Sequence, residues 1–340
     1  MFRSLLTCLS VLMLFTPAFA GDGGEGMNMK LATVAPKGTP WSDLLERYKA
    51  AVESRAGGKM TVRAYLGGIK GDEQSIARQV YKGSLQMAGV STGAMAVLVE
   101  DLDILELPYL FDSLEQADKV LDEVRPLVEK LLEGKGFKLV MYSENGYRSF
   151  GMVPFPDDAT RERFIKTPAD LNAVKMRSQE SKVHVNMYRA LGASPVTIAV
   201  GDVMPALQTG VVAGMDNTPL FIQAVGWHQA VKYFTVSEHI YQPAILVVNK
   251  AWYDGLPPDL QEAVMKPRAD LEAKGRKAVR ALSPLLLKNF EAQGVKVYTQ
   301  TVDEKEAFRK ATRATWDARR ATATDEGKAL YDAILKAKGN

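Results

Sequence analysis

Residues 29–65 read MKLATVAPKGTPWSDLLERYKAAVESRAGGKMTVRAY, and this stretch decides the fold class. The apolar run over 29–35 predicts a strand, and Thr39-Pro40 predicts a helix N-cap with proline at the first helical position. Apolar residues then recur at helical spacing until Gly57-Gly58, where we expect the helix to end. Alternating apolar residues over 59–65 predict a second strand. The stretch is therefore a strand–helix–strand unit.

The alternation of strands and helices continues along the chain. Further strands are predicted at residues 85–90, 138–142, 174–177, 195–199, 211–215, 233–236, 244–249 and 295–299. Helices are predicted between most of them, and the longest runs from residue 258 to Phe290. Such alternation is typical of mostly parallel sheets covered by helices on both faces. Because a second series of elements begins near Gly151, we expect an α/β protein with two similarly built lobes.

Length and charge limit the classes of function. A chain of 340 residues is too long for one compact core and suits two domains. Its 43 basic and 40 acidic side chains give a formal net charge of +3. That balance argues against nucleic acid or an anionic membrane as the main partner. Past the N-terminal segment no stretch is long and apolar enough to cross a membrane, so we do not expect a membrane-embedded protein.

The first twenty residues, MFRSLLTCLSVLMLFTPAFA, have the pattern of a secretory signal peptide. Arg3 precedes an apolar run, and Ala18-Phe19-Ala20 fits the small-x-small cleavage rule, so we expect export and cleavage after Ala20. Residues 21–28 are rich in glycine and are expected to form a flexible leader. Cys8 is the one cysteine, so the exported chain would have no disulfide, no thiol nucleophile and no thiolate metal site.

The sequence contains no recognisable motif for a metal or a nucleotide. His184, His228 and His239 do not have the paired spacing of a zinc site, and no DxDxDG calcium loop occurs. The GxxxxGK[ST] loop is missing, and the GDGGEG run lies in the leader with no strand before it. We therefore expect no metal and no cofactor.

One segment matches a catalytic motif. Residues 89–93, GVSTG, fit the GxSxG nucleophile elbow, in which a sharp turn exposes the serine hydroxyl. A secreted α/β serine hydrolase would use Ser91 as its nucleophile, with an acidic residue and one of the three histidines supplied later in the chain. A turn at a strand end can instead bind a ligand through its N–H groups and through the hydroxyls of Ser91 and Thr92. The motif alone leaves both interpretations open.

Two arginines stand where predicted strands end. Arg177 ends the apolar strand VKMR, and Arg148 follows the strand over 138–142 in the segment ENGYRSF. Ligands of open α/β sheets bind beyond the carboxyl ends of strands, and an arginine there can hold a carboxylate through two parallel hydrogen bonds. A surface arginine or a structural ion pair would look the same in the sequence. Arg177 and Arg148 are therefore candidates for binding an anionic ligand.

Five segments carry a resemblance that runs through nearly the whole chain after residue 29. They are residues 65–93, 107–111 (LPYLF), 146–150 (GYRSF), 167–177 (TPADLNAVKMR) and 204–219 (MPALQTGVVAGMDNTP). In this order, behind a signal-like segment, they resemble the DctP-like family, the periplasmic solute-binding subunits of TRAP transporters. The resemblance implies a two-lobed, periplasmic-binding-protein-like α/β fold with a ligand cleft between the lobes, crossing strands and a long hinge-spanning helix.

The resemblance also implies lobe boundaries and a function. Lobe I would comprise 29–146 plus 243–282, and lobe II would comprise 147–242 plus 283–335. The protein would not be an enzyme but would capture a small organic acid in the periplasm and deliver it to a TRAP-type membrane permease. A binding protein used for signalling rather than transport is an alternative.

Residue roles follow from the same resemblance. Arg177 is similar to the arginine that pairs with the ligand carboxylate, and Arg148 resembles a second basic contact. Asn217 stands where the family has a cleft asparagine, and Glu73 matches an acidic residue that reaches polyhydroxylated ligands. Four further residues are expected at the ligand: Ser91, Thr92, Trp41 and Asp216.

The chain also departs from the family pattern at several positions. Ala173 replaces the glycine before the VKMR strand, and Asp216 replaces a glutamate. Ala213 and Met215 are further replacements near the expected cleft, toward smaller or less polar residues. These changes weaken the case for a heavily hydroxylated ligand such as a sugar acid and leave room for an aromatic or aliphatic acid, whereas the retained Arg177 still favours a carboxylate.

Overall fold

Strands and helices alternate along the chain in a computed structural model that describes residues 27–339. Nine strands form in this range: β1 (Met27–Thr33), β2 (Met60–Tyr65), β3 (Met87–Ser91), β4 (Phe137–Met152), β5 (Lys175–Ser178), β6 (Ser194–Thr197), β7 (Gly214–Asn217), β8 (Tyr233–Asn249) and β9 (Lys296–Thr299). The α-helices of the same range are α1 (Pro40–Ala56), α2 (Glu73–Tyr81), α3 (Thr92–Met95), α4 (Leu114–Glu133), α5 (Lys182–Ala190), α6 (Val203–Gln208), α7 (Pro219–Ala224), α8 (Lys250–Asp254), α9 (Pro258–Met265), α10 (Arg268–Ala292), α11 (Val302–Thr312), α12 (Ala314–Thr322) and α13 (Asp325–Lys338). A 3-10 helix spans Glu100–Glu106, between α3 and α4.

The N-terminal predictions fall largely outside this range. The predicted signal peptide and the leader up to residue 26 lie outside the described residues. Met27 and Asn28, which the sequence assigned to the leader, belong to β1 because they pair with Met60 and Thr61 of β2. The leader prediction is therefore wrong for these two residues.

All nine strands belong to one mixed sheet in the order β2-β1-β3-β8-β4-β7-β5-β6, with β9 paired to β8. The long strands β4 and β8 run antiparallel along almost their whole length, so they cross from one half of the sheet to the other. The sequence predicted only the first part of β4, residues 138–142, and the two ends of β8, residues 233–236 and 244–249. Polar residues in their middle parts, such as Glu144 and Gln242, interrupt the apolar pattern that marks a buried strand.

Helices cover both faces of each half of the sheet. In the first lobe, α1 and α9 pack on one face and α2 and α4 on the other. In the second lobe, α5 and α11 cover one face, and α6, α7 and the end of α10 cover the other. Helix α10 contacts α1 in the first lobe and α7 and β9 in the second, so it spans both lobes. The predicted two-lobed α/β fold is confirmed.

The C-terminal part differs from the sequence-based prediction in two ways. The helix predicted from residue 258 to Phe290 is two helices, α9 and α10, because Pro267 between them cannot supply the N–H that would continue α9. Helix α13 packs against α4, with Leu330 and Ile334 in the core of the first lobe. The predicted boundary, which places 283–335 in lobe II, does not anticipate this packing.

Two turns that lead into site residues use left-handed backbone. Gly67, Gly68 and Gly71 have φ angles of 67°, 74° and 102° in the turn before α2, where a Cβ would be strained. Ala173, just before β5, has a φ of 59°. That conformation costs a non-glycine residue about 1 kcal/mol, so the alanine places strain directly ahead of the strand that carries Arg177.

Candidate ligand-binding site

A narrow cleft lies where the two lobes face each other across β4 and β8. Its lining combines both lobes and the crossing strands: Thr33, Val34, Ala35, Trp41, Glu73 and Gln74 from the first lobe, Asn145, Arg148 and Gln242 from the crossing strands, and Arg177, Gln179, Val200, Asn217 and Phe221 from the second lobe. The cavity between them has a volume of ≈ 30 Å³, which is room for about two water molecules. The lobes are therefore closed over these residues.

Arg177 lies in β5, and within the described part of the chain its guanidinium group has no carboxylate partner. The residue is 2% exposed. Its Nε and Nη2 donate to the carbonyl oxygen of Ile198 at 3.0 and 2.8 Å, and its Cζ lies 5.4 Å from the centroid of the Trp227 ring. Among residues 27–339 no side chain accepts a hydrogen bond from its Nη1. Burial, with the charge of nearby Arg148, lowers the pKa of Arg177 to about 10.

Arg148, on β4, is fully paired inside the protein. Its Nε donates to Oδ2 of Asp216 at 2.6 Å, and its Nη2 donates to the backbone oxygen of the same residue at 2.7 Å. Its Nη1 donates to Oε1 of Gln242 at 3.1 Å. Burial alone would lower the pKa of Arg148, but the charge of Asp216 outweighs it and raises that pKa. Arg148 lines the cleft, but Asp216 already balances its positive charge.

Asp216, on β7, is the counter-ion of Arg148 and does not line the cleft. Its Oδ1 accepts a hydrogen bond from the Tyr188 hydroxyl at 2.7 Å, and its Oδ2 lies 3.2 Å from Nε2 of His239. Burial would raise the pKa of Asp216, but the charge of Arg148 and the hydrogen bonds from His239 and Arg148 hold it well below its usual value. Contrary to the sequence-based expectation, Asp216 therefore lies behind the cleft wall, because other protein groups use both of its oxygens.

Glu73 lines the cleft from the first lobe, at the start of α2. Its Oε1 accepts from the backbone N–H of Ser91 at 2.7 Å, and its Oε2 accepts from the Ser91 hydroxyl at 2.9 Å. Burial raises the pKa of Glu73, although these two hydrogen bonds oppose the shift. Ser91 and Thr92 do not line the cleft themselves, and the Thr92 hydroxyl donates to Glu106 at 2.8 Å. Of the three, only Glu73 faces the cleft.

The structure does not support the serine hydrolase interpretation of the GVSTG segment. The Ser91 hydroxyl is buried, donates to Glu73 and accepts the backbone N–H of Ala94 at 3.2 Å, so it acts as the N-cap of α3. The three histidines form hydrogen bonds with other groups. His184 bonds to Glu106, His228 to the carbonyl oxygen of Ile222, and His239 to Asp216. A serine needs a base within hydrogen-bonding reach to become a nucleophile, and Ser91 has no histidine there.

Trp41 and Asn217 both lie in the cleft lining. The Trp41 indole N–H donates to Oδ1 of Asn145 at 3.0 Å, which ties the first lobe to β4. Sequence reasoning missed the amide side chains of the lining, which are Gln74, Asn145, Gln179 and Gln242. Only Gln179 had a usable signal, because it follows Arg177 by two positions and side chains at that spacing share one face of a strand.

Arg177 is the charged group of the cleft that forms no salt bridge with any of the described residues. Arg148 is neutralised by Asp216, and burial favours the uncharged form of Glu73. A carboxylate could accept hydrogen bonds from Arg177 and supply the missing negative charge. The surrounding amides offer both donors and acceptors, which suit hydroxyl or carbonyl groups on the same ligand. The arrangement is therefore suited to binding a small organic anion.

Within residues 27–339 no group of three or more His, Cys, Asp or Glu side chains is arranged to hold a metal ion. The helices of this range include none that combines the length and the apolar character needed to cross a bilayer.

Residues 31–322 match the family model of DctP, the bacterial extracellular solute-binding proteins of family 7. The chain belongs to this family. The match begins in β1 and ends in α12, so it includes both lobes and every residue of the cleft lining. The resemblance predicted from the five sequence segments is confirmed.

Relatives of this DctP-family chain have the same fold and bind different acids. The C4-dicarboxylate-binding periplasmic protein DctP of Rhodobacter capsulatus is 30% identical over 266 residues, which are 78% of this chain and 76% of that protein. The sugar acid binding protein DctPAm of Advenella mimigardefordensis, in complex with galactonate, has a TM-score of 0.83 and 26% identity, covering 92% of this chain and 99% of that one. A TRAP periplasmic solute-binding protein of Ralstonia eutropha H16, with bound (S)-2-acetolactate, has a TM-score of 0.82 and 27% identity, covering 91% and 99%.

Proposed function

We propose that this chain is the solute-binding subunit of a TRAP-type transporter and that it captures a small organic acid by its carboxylate. The observation that carries the proposal is Arg177, a buried guanidinium that lines the cleft and lacks a counter-ion among the described residues. Holding a charge out of water without a partner is unfavourable, so a protein that keeps one there gains a strong site for the opposite charge.

The relatives support a carboxylate but not one particular acid. Galactonate, (S)-2-acetolactate and C4-dicarboxylates, the ligands those proteins are named for or were crystallised with, share a carboxylate group and differ in the rest of the molecule. In this chain the lining amides carry both donors and acceptors, which favours an acid that also carries hydroxyl or carbonyl groups. Trp41 and Phe221 offer apolar surface for its carbon skeleton. The acid proposed here is more polar than the aromatic or aliphatic acid for which the sequence leaves room.

Capture would proceed by closure of the two lobes without a covalent step. An open cleft admits the acid, Arg177 and the amides replace its hydration shell, and the lobes exclude water as they close. Hydrogen bonds to a charged group contribute about 1.5–3 kcal/mol each, and they are stronger once water is excluded. Arg148 would stabilise the anion through its proximity rather than by giving up its bond to Asp216.

Export and delivery complete the proposal. The first twenty residues have the pattern of a signal peptide, which would send the chain to the periplasm. A membrane permease would then receive the acid from the closed protein. The family description as extracellular and the TRAP assignment of the Ralstonia relative support this placement.

The proposal is tested by melting curves of the ligand-free protein with pairs of small molecules, in each of which one member is a carboxylate and the other is its neutral counterpart. Suitable pairs are D-galacturonate with D-galactose, D-galactonate with D-galactitol, and succinate with succinamide. We expect at least one acid to raise the melting temperature and its neutral partner to leave it unchanged. Mass spectrometry of the solute released from the purified protein by denaturation should independently show an organic acid. A neutral compound that stabilises the protein as much as its acid would contradict the proposal.

A further inference from the structure

Glu106 is a fully buried carboxylate outside the cleft lining, at the end of the 3-10 helix Glu100–Glu106. Its Oε1 accepts from the Thr92 hydroxyl at 2.8 Å and from the backbone N–H of Gly93. Its Oε2 lies 2.7 Å from Nε2 of His184. Burial alone would raise the pKa of Glu106, but the hydrogen bond and the charge of His184 outweigh it and hold the pKa below its usual value.

The donors around Glu106 come from both lobes. Thr92 and Gly93 belong to the first lobe, as Glu106 does. His184, on α5, and Gln179, just before it, belong to the second lobe, and the Gln179 side-chain amide donates to Oε2 at 3.3 Å. The Gln242 amide on the crossing strand β8 donates to the same oxygen, also at 3.3 Å. One carboxylate therefore bonds to the first lobe, the second lobe and the strand that joins them.

The first turn of α5 is one part of the second lobe that docks on the first. Val183 is buried in the hydrophobic core of the first lobe, next to His184 in sequence. At the rim, Lys182 pairs with Glu100 at 2.7 Å, and both side chains are more than half exposed. Exposed salt bridges contribute little to stability, whereas hydrogen bonds to a buried charge contribute more. The contact between α5 and the first lobe thus depends mainly on Glu106 and Val183.

This contact is continuous with the ligand site along the chain. Arg177 and Gln179 both line the cleft, and Gln179 also bonds to Glu106. Gly93 shows how tightly the contact is packed, because a Cβ at that position would lie 2.4 Å from Oε2 of Glu106 and 2.6 Å from Nε2 of Gln179. A shift of Arg177 toward a ligand would therefore carry Gln179 and α5 toward Glu106.

We propose that Glu106 is a positioning residue that holds the lobes closed by receiving the first turn of α5, and that it links ligand capture at Arg177 to closure. The inference rests on the proposed function, since it describes how that binding site is kept shut. Glu106 does not touch the ligand in this account. Its hydrogen bonds to His184 and Gln179 form as the lobes close and break as they open, while its bonds to Thr92 and Gly93 persist.

The test measures closure without any ligand. Cys8→Ser removes the one natural cysteine, and R78C and E180C then place one cysteine on each lobe, at two side chains whose charged ends are 3.5 Å apart in the closed protein. The rate at which a short bis-maleimide links these cysteines follows the closed population, even when that population is small. The protein is unfolded, dialysed and refolded beforehand so that no solute remains.

The variant Glu106→Gln is compared with Glu100→Gln, a matched control on the same 3-10 helix whose partner Lys182 lies in the same turn of α5. We expect Glu106→Gln to slow crosslinking about tenfold or more, because it removes the charge that its buried donors require. We expect Glu100→Gln to change the rate less than about twofold. Equal rates for wild type and a folded Glu106→Gln protein would overturn the proposal.

A second variant covers the case in which Glu106→Gln does not fold. His184→Gln changes only the second-lobe side of the contact and leaves the carboxylate its first-lobe donors, Thr92 and Gly93. It should slow crosslinking as well, with circular dichroism and a melting curve confirming the fold, and an unchanged rate would again contradict the proposal. Because no ligand takes part, failure here is distinct from failure of the carboxylate proposal, which would appear only in the melting curves with acids.

Discussion

Arg148 and Arg177 lie in the same cleft and are buried to the same degree, yet their electrostatic environments are opposite. Arg148 is paired with the carboxylate of Asp216, and its pKa is raised. Among residues 27–339, Arg177 contacts the carbonyl oxygen of Ile198 and the ring of Trp227 but no carboxylate, and its pKa is lowered to about 10. Burial at the cleft therefore does not distinguish the two arginines, whereas the missing salt bridge does, and the proposal that Arg177 binds the ligand rests on that difference.

The strand pairing explains why only one arginine has a partner. Strands β4 and β7 are antiparallel, with Ser149 opposite Asn217 and Phe150 opposite Asp216, so Arg148 and Asp216 come within bonding distance. Arg177, on β5, pairs in register with Val196 of β6, and the nearest backbone acceptor is Ile198 beyond it. The sheet therefore forms a structural ion pair between β4 and β7 and leaves Arg177 on β5 without a salt bridge among the described residues.

The largest effect on stability should come from breaking the Arg148 pair. Arg148→Met leaves the carboxylate of Asp216 buried without its cation, so we expect the free energy of unfolding to fall by about 3–5 kcal/mol. Urea denaturation of the ligand-free protein measures it. The control is Arg161→Met, which removes an exposed pair with Asp157 and should change stability by less than about 0.5 kcal/mol. A loss for Arg148→Met no greater than the loss for the control would break the comparison between the two arginines.

A smaller, pH-dependent effect should come from Glu73, the lining carboxyl group that pairs with neither arginine. Its pKa is raised in the folded protein, so its ionisation costs stability as pH rises above the ordinary glutamate value. Glu73→Gln cannot ionise, and its stability relative to wild type should therefore increase between pH 4 and pH 7, by about 1.4 kcal/mol for each unit of pKa shift. Urea denaturation at the two pH values measures the change. A constant difference would show that Glu73 is neutralised by a cation after all.

The smallest effect should come from the turn that supports Arg177. Ala173→Gly relieves a left-handed alanine just before β5, so we expect a gain of about 1 kcal/mol in unfolding free energy. The same substitution at the exposed helical position Ala278 should instead cost about 1 kcal/mol. Melting curves of the Ala173→Gly and Ala278→Gly variants measure the two changes in stability. A loss at Ala173 would mean that the strain assigned to this turn is offset by packing of the methyl group.

Much of the fold was predictable because hydrophobic periodicity and capping are local. The start of α1 at Thr39-Pro40 and its end at Gly57 were predicted correctly from a few residues each. The continuity of β4 and β8 was not predictable, because their polar centres serve the cleft and carry no apolar alternation. The docking of α13 on the first lobe was missed since a helix sequence does not say which sheet face will cover it.

The site was predictable only where one residue acts alone. Arg177 could be named from the end of its strand, but the pairing of Arg148 with Asp216 joins residues 68 positions apart and depends on the register of two strands. The carboxylate of Glu106 was missed for the same reason, because its partner His184 lies 78 positions away. Contacts between distant segments of the chain require the fold before they can be recognised.

The central claim is that Arg177 is kept without a counter-ion so that a ligand carboxylate can supply one. The direct measurement is the unfolding free energy of wild type and Arg177→Met, each with and without the organic acid that stabilises wild type. We predict that the ligand-free variant is at least as stable as wild type, because methionine removes an unpaired buried charge, and that the acid no longer stabilises it. A variant that loses stability without ligand, or that still gains it from the acid, would contradict the account.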